Sequence, residues 1–471
     1  MTPPPDAVVG ALAAPADPAD HAPGSPVQKL ALALCGAGLL AFVFAAGGLR
    51  LGGGWTALAA SLGAASLGAV LWFWLEYRAK TPGIENDGTM RSPLKRRGAI
   101  AWALAVAFTG FYVVLYFDEA LQARGMPAVL EGWIALVDPI ARSLSGQAAD
   151  KWFLYGTLYT LAILVMGARM LAKYRHSRYQ QYRTVSVMFF QLGFAFLVPA
   201  FLKAMQQPEY YFTYFWPLKQ WYGWPDGFAH FRDAGVVGLA FFLFGAAMTL
   251  IATPVLTYFY GKRWYCSWVC GCGGLAETAG DPWRQNSDKS LAAWKVERWM
   301  VHSVLVFVVA ATAVLWINSA REGRLLGEWS SPFAKAYGLY VGAIFSGVVG
   351  VGFYPLMGSR VWCRFGCPMA AILGIFQRFF SRFRITTNGG QCISCGNCST
   401  YCEMGIDVRA YAQRGENVVR ASCVGCGVCS AVCPRGVLNL ENGPTHADRF
   451  PGADRPVQAF LEALGVRERS G

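Results

Sequence analysis

Eight cysteines of this 471-residue chain stand in two matching runs, Cys392, Cys395, Cys398, Cys402 and Cys423, Cys426, Cys429, Cys433. Both have the spacing C-x2-C-x2-C-x3-C, in which three thiolates of a run hold one [4Fe–4S] cube and the fourth ligates the other cube. Two-residue gaps wrap the backbone round one side of a cube. Small residues (Ser394, Gly396, Gly425, Gly427) leave room for amides to approach the sulfurs. The spacing therefore assigns Cys392, Cys395, Cys398 and Cys433 to one cluster, and Cys423, Cys426, Cys429 and Cys402 to the other. Zinc also takes four such ligands, but rarely in two tandem copies of this run. Pro434 follows the second run as is usual, whereas Glu403 replaces proline after the first.

Five more cysteines form a second constellation. Arg263 precedes Cys266, Cys270 and Cys272; Arg360 precedes Cys363 and Cys367, with Arg364 between them and Pro368 after them. Each group contains C-x3-C, and a three-residue gap on a helix puts both sulfurs on one face. Four thiolates from Cys266, Cys270, Cys363 and Cys367 suit zinc, Cu(I) or an iron–sulfur centre, and the neighbouring arginines favour the thiolate form. The competing reading is that these cysteines pack helix ends or form a metal-free redox dithiol. Cys35 stands apart in an apolar run and reads as a small packing residue.

The elements that must position these thiols are membrane spans. The chain is 55% hydrophobic and 15% charged, with mean hydropathy +0.34, too apolar for a soluble protein of this size. Apolar segments near the ~20 residues that cross a bilayer run over Leu30–Leu49, Trp55–Trp74, Ala99–Phe117, Trp152–Leu171, Thr184–Ala204, Val236–Tyr258, Trp299–Ile317 and Leu339–Leu356. Basic residues crowd the loops after the even-numbered spans: Arg78, Lys80, Arg91, Lys95, Arg96 and Arg97, then Lys173, Arg175, Arg178 and Arg183, then Lys262, Arg263, Arg284, Lys289, Lys295 and Arg298. By the positive-inside rule both termini and the cysteine-rich region lie in the cytoplasm of a bacterial inner membrane. That reducing compartment argues for metal over disulfides. The net charge of +13 is spread over these loops and does not point to nucleic acid.

The fold class is thus an α-helical integral membrane protein of eight spans with a C-terminal α+β ferredoxin-like domain. Its divisions are a disordered tail 1–27, a four-span region 28–183, a four-span core 184–368, an interfacial amphipathic helix 369–385, the two-cluster domain 386–442 and a tail 443–471. In the helix, Ile372, Phe376, Phe379 and Phe383 fall at helical spacing beside Arg378, Arg382 and Arg384, a pattern that lies on anionic lipid. The tail carries one short candidate helix over Val457–Val466. Seven aromatic residues between Tyr210 and Trp224 read as a belt at the outer membrane surface, or else as a quinol pocket or a docking face. Among five histidines only His302 falls in a span, so bis-histidine haem is excluded. Apart from His302 and Lys203, no ionisable group is expected deep in a span, which argues against a pump.

Four spans, two C-x3-C motifs at cytoplasmic ends and a double [4Fe–4S] run resemble the membrane polyferredoxins of the NapH and NosR type, over roughly Thr184 to Leu440. The motif C-x3-C-P is complete only at Cys363, Cys367 and Pro368; Gly271 replaces proline in the first copy and Cys272 is extra. The resemblance implies electron transfer between the quinone pool, or a cytoplasmic donor, and a respiratory redox partner. It implies two [4Fe–4S] clusters, and a further metal centre at the C-x3-C pairs is the open question. No flavin-attachment signature is present. Two other readings stay open: a copper-ion reductase using Cys266, Cys270, Cys272, Cys363 and Cys367, and a redox-sensing assembly factor for a respiratory metalloenzyme.

Overall fold

The computed structural model describes residues 24–49, 52–78, 80–84, 97–219 and 221–443. Most of the two tails, the Val457–Val466 segment and Arg91, Lys95 and Arg96 lie outside the described residues.

Among the described residues, eight helices are long and apolar enough to cross a membrane: Pro26–Ala45, Trp55–Arg78, Ala99–Gln122, Lys151–Lys173, Arg178–Ala204, Gly235–Tyr260, Leu291–Ala320 and Gly327–Val349. They are spans one to eight. Span one starts where Ser25 accepts from the Gln28 amide in a capping box, with Pro26 at the first helical position, where its missing N–H is no loss. Spans one and two cross through glycines. A Cβ on Gly68 would stand 2.5 Å from the Cys35 nitrogen, so Cys35 lies at a close helix crossing, a packing position. Span eight is displaced from its expected limits, ending at Val349 and not at Leu356. Gly350 and Gly352 follow, and a separate turn of helix covers Tyr354–Met357.

The aromatic segment between spans five and six is not a surface belt. Tyr210 and Phe215 are fully buried and Tyr222 nearly so. The Trp216 carbonyl accepts from Thr249 Oγ1 at 3.1 Å, and Trp216 Nε1 approaches Thr312 Oγ1 at 3.4 Å; both threonines lie inside spans. Phe215 reaches the ring of Tyr265 beside Cys266, at 5.8 Å between centroids. The loop therefore re-enters the membrane layer from the face opposite the ferredoxin-like domain. Irregular backbone is tolerated at that depth only where protein surrounds it, and the aromatic rings provide that surrounding.

The helix after the second cysteine pair also differs from expectation. It runs Pro368–Phe379, shorter than 369–385, and buries Met369, Ala370, Leu373 and Gln377. Phe383 is buried and Ile385 belongs to a strand. Of its aromatic residues, only Phe379 and Phe380 are left largely exposed. The amide of Gln377 explains the reversal: it donates to the carbonyls of Arg420 and Cys423 and accepts from the Lys262 amide. The helix is a buried bracket between span six and the cysteine-rich domain, not a float on lipid.

That domain is closed by two antiparallel strands, β1 (Arg384–Thr387) and β2 (Leu438–Glu441), with Arg384 opposite Glu441 and Thr387 opposite Leu438. Three short helices, Asn397–Thr400, Val408–Arg414 and Val428–Ala431, complete it. Ile385, Ile406, Val408, Val418, Val424 and Leu438 form its core together with the cysteines.

Candidate metal centre

The two cysteine runs fold alike. Ser394 and Gly425 take positive φ (59° and 62°), as do Gly396 and Gly427 (80° and 74°) and Gly405 and Gly436 (66° and 61°). These left-handed turns bend each run round a common centre and start the helices Asn397–Thr400 and Val428–Ala431. Ser394 is the exception to glycine, and its hydroxyl accepts from Gln413.

Two small cavities result, each lined by four thiols from both runs. One is lined by Cys402, Cys423, Cys426 and Cys429. The other is lined by Cys392, Cys395, Cys398 and Cys433. The grouping is the crosswise one that the spacing predicts. The donor set fits an iron–sulfur cube: four sulfurs and almost no competing side-chain oxygen or nitrogen. Backbone amides add to it, with Ile406 N–H on Cys402 Sγ at 3.4 Å, the kind of contact that tunes cluster potential. Burial pushes the Cys398 and Cys423 thiols up to about 11 and raises Cys402, Cys426 and Cys429. Metal binding must therefore drive the deprotonation.

The two cavities differ in setting. The first faces the span ends. Tyr179 Oη donates to the Gly425 carbonyl (2.7 Å), Gln180 to Cys426 (2.8 Å) and Ser267 to Val424 (2.8 Å). The second opens outward: Cys395 and Ile393 are exposed, with Arg409 and Arg435 beside them.

A buried ion network, which sequence reading missed, joins the span ends to this domain. Asp281 pairs with Arg169 and Lys173 of span four, each at 2.8 Å, and with Arg284 at 3.1 Å. Glu277 pairs with Arg183, Arg284 (2.9 Å) and Arg360 (2.6 Å). Glu403 bridges Arg284 (2.9 Å) and Arg360 (3.0 Å). All eight residues are buried. Arg169 corrects the expectation that span four carries no ionisable group. The residue that departs from the usual proline, Glu403, is the domain's anchor in this network, and its oxygen lies within 4.8 Å of Cys426 Sγ and a Glu277 oxygen. Burial alone would raise Glu277, but Arg183, Arg284 and Arg360 hold it well below the usual carboxylate range. Burial lifts Glu403 above it despite Arg284 and Arg360. Glu277 and Asp281 stand in a loop that also holds Lys262, Arg263 and Arg284; acids among basic residues were the available signal.

The C-x3-C cysteines converge, but not on one helical face. Cys266 ends the helix Arg263–Cys266 and Cys270 precedes Gly271–Glu277. Cys363 lies in Val361–Phe365, and Cys367 caps Pro368–Phe379, its sulfur accepting from Ala370 N–H. Each pair straddles a break between two short helices. Cys266, Cys363 and Cys367 share one buried cluster with Cys270 at its edge, and Cys272 is hydrogen-bonded to Cys270. The arginines act unequally. Arg360 touches Cys363 Sγ (3.7 Å) and the Cys266 carbonyl (3.0 Å). Arg364 goes to Glu297 (2.8 Å), and Arg263 lies over the rings of Tyr179 and Phe383. Burial outweighs them at Cys266, pushed up to about 12, and at Cys363 and Cys367. Only Cys270 falls, to about 7, through its bond with Cys272. His302 hydrogen-bonds the Arg298 carbonyl of its own helix at 2.6 Å, a satisfied polar residue.

Comparison with known proteins separates the same two regions. A 4Fe-4S dicluster domain matches residues 391–438, and a 4Fe-4S binding domain matches twice, over 235–289 and 339–386. The second double match coincides with the two hairpin-closing cysteine pairs. NapH of Haemophilus influenzae, a ferredoxin-type protein, is 24% identical over 33% of this chain and 54% of its own length. Over this region the chain is similar to the NapH-type ferredoxin proteins. YccM of Escherichia coli is 25% identical over 35% of this chain and 47% of its own. The ferredoxin-type protein MauN of Paracoccus denitrificans, named for methylamine utilization, is 26% identical over 33% and 55%. The chain thus spans about half the length of the curated relatives it matches. No solved structure matches. The matched 4Fe-4S domains and the eight apolar helices make it an integral membrane protein that binds 4Fe–4S clusters.

Proposed function

We propose that this chain is a membrane-bound electron-transfer protein linking the quinone pool to a redox partner on the cytoplasmic face. Cys402, Cys423, Cys426 and Cys429 hold an inner cluster; Cys392, Cys395, Cys398 and Cys433 hold an outer one. A [4Fe–4S] cluster supplies one-electron storage at each position.

The observation that carries this reading is the pair of thiol-lined cavities in series, one buried against the span ends and one opening at Cys395. Around the inner site Tyr179, Gln180, Ser267 and Gln377 fix the loop backbone. Met404, Ile406 and Val424 exclude water from it. At the outer site Arg409 and Arg435 flank exposed Ile393, which favours an acidic partner. Support for a lipid-soluble donor comes from a groove that runs from Ser186 and Phe190 of span five, past Trp264 and Trp268, to Gly427 beside the inner site. It is largely apolar with a few polar groups, as small-ligand sites are. Cys266, Cys270, Cys363 and Cys367 form a further redox or metal site between membrane and domain, and their shared burial supports it.

The test is reconstitution of anaerobically purified protein in liposomes. Quinol added to the membrane should bleach the cluster absorbance, and a soluble acceptor dye should restore it. Clusters that exchange electrons with neither would refute the reading.

A further inference from the structure

Spans three and four are outside the matched regions, yet they carry an ordered file of oxidisable rings. Trp152, half-exposed at the start of span four, lies 5.9 Å from Tyr116 between ring centroids. Tyr116 lies 6.0 Å from Tyr112, Tyr112 6.0 Å from Tyr155, and Tyr155 5.4 Å from Tyr159. Tyr112 and Tyr116, like Tyr155 and Tyr159, are four residues apart on one helical face. The file ends at the cysteines. A Cβ on Gly271, between Cys270 and Cys272, would stand 3.6 Å from the Tyr159 ring and 3.9 Å from its hydroxyl. Gly271 is followed directly by Cys272, the cysteine that the C-x3-C pattern does not require.

Packing alone does not explain the choice of residue. Phenylalanine fills the same space in an apolar layer without a hydroxyl to desolvate. Here four consecutive members keep the phenol. The span ends fix the direction. Lys173 of span four joins the ion network at the ferredoxin-like domain, so Trp152 is on the opposite face.

We propose that Trp152, Tyr116, Tyr112, Tyr155 and Tyr159 form a hopping chain that connects the Cys270–Cys272 dithiol to a one-electron oxidant at the face opposite the ferredoxin-like domain. The oxidant takes an electron from Trp152. The vacancy is filled from Tyr116, Tyr112, Tyr155 and Tyr159 in turn, each phenol releasing its proton on oxidation and regaining one on re-reduction. The last electron comes from the dithiol. Two such transfers break two S–H bonds, form one S–S bond, release two protons to solvent and reduce two equivalents of oxidant by one electron each. The chain gives the thiol site an electron outlet independent of the clusters, and gives spans three and four a role.

The test uses the holoprotein and photogenerated ruthenium(III) tris-bipyridine as oxidant, with persulfate as the sacrificial acceptor. Tyrosyl signal is read by EPR, and Cys270–Cys272 oxidation by peptide mass spectrometry. Wild type should give a tyrosyl signal followed by disulfide. Tyr155→Phe keeps the ring and should lower the disulfide yield at least tenfold with iron content unchanged. Tyr337→Phe, buried but off the file, should match wild type. Equal yields in wild type and Tyr155→Phe, or an equal loss in Tyr337→Phe, would overturn the proposal, as would a wild type without disulfide.

Discussion

At the residue scale, Glu403 is the most informative departure in the chain. A proline there would serve a free-standing domain, but this domain is pinned to buried Arg284 and Arg360 by the carboxylate. Removing one partner of a buried ion pair leaves an uncompensated charge and costs about 3–5 kcal/mol. Glu403→Pro should therefore fall near the lower end, because both arginines keep Glu277, and it is measured as a drop in the midpoint of thermal iron loss. A stability equal to wild type would show that the network is redundant there. The two cluster sites should respond unequally to Cys→Ser. Either Cys395→Ser or Cys426→Ser should cut iron from about eight to about four per chain. Cys426 sits beside Glu277, Glu403 and the span ends, so its variant should also release the domain to protease, whereas exposed Cys395 should not. The grouping of the eight thiols round two cavities was legible because cluster spacing is a local backbone constraint. The acids Glu277, Asp281 and Glu403 were not, because their role depends on which loops meet.

At the element scale, the spans were legible from hydropathy, since a bilayer imposes length and apolarity on each helix separately. The bracket Pro368–Phe379 was misread for the opposite reason: an amphipathic helix presents the same pattern to lipid and to a protein wall. Hydrogen bonds from Gln377 decide between them, and one polar residue in an apolar stripe does not announce its partners. The C-x3-C pairs were likewise placed on continuous helices, whereas the cysteines sit at helix ends. Docking of the inner cysteine loop depends on Gly427, whose φ is 74° and whose Cβ position is filled by the Tyr179 ring at 2.7 Å. Gly427→Ala should displace Tyr179, break its bond to Gly425 and lower iron retention after detergent extraction by at least half. Gly415→Ala, also at positive φ but with open space around it, should cost far less. Equal effects would assign the defect to backbone strain alone.

At the scale of the whole molecule, the domain is held by the first turn of span five and by the segments that follow spans six and eight, through Gln180, Ser267 and Arg360. These share one face, which is the cytoplasmic one in the topology we propose from the positive-inside rule. A phosphatase fusion after Arg183 should therefore be inactive, while one at Trp216 should be active; the reverse pattern would place the cysteines in an oxidising compartment. The depth of the Tyr210–Trp224 loop was not legible, because aromatic residues suit both an interface and a buried plug. That depth has a consequence for how the protein is made. The loop emerges after span five, yet its partners Thr249 and Thr312 belong to spans six and seven. During synthesis it must wait outside the lipid until both later spans have been inserted, and only then fold inward to cover Tyr265 and Cys266. The thiol site is thus sealed last on that side, and a chain truncated before span seven would leave it open to the outer compartment.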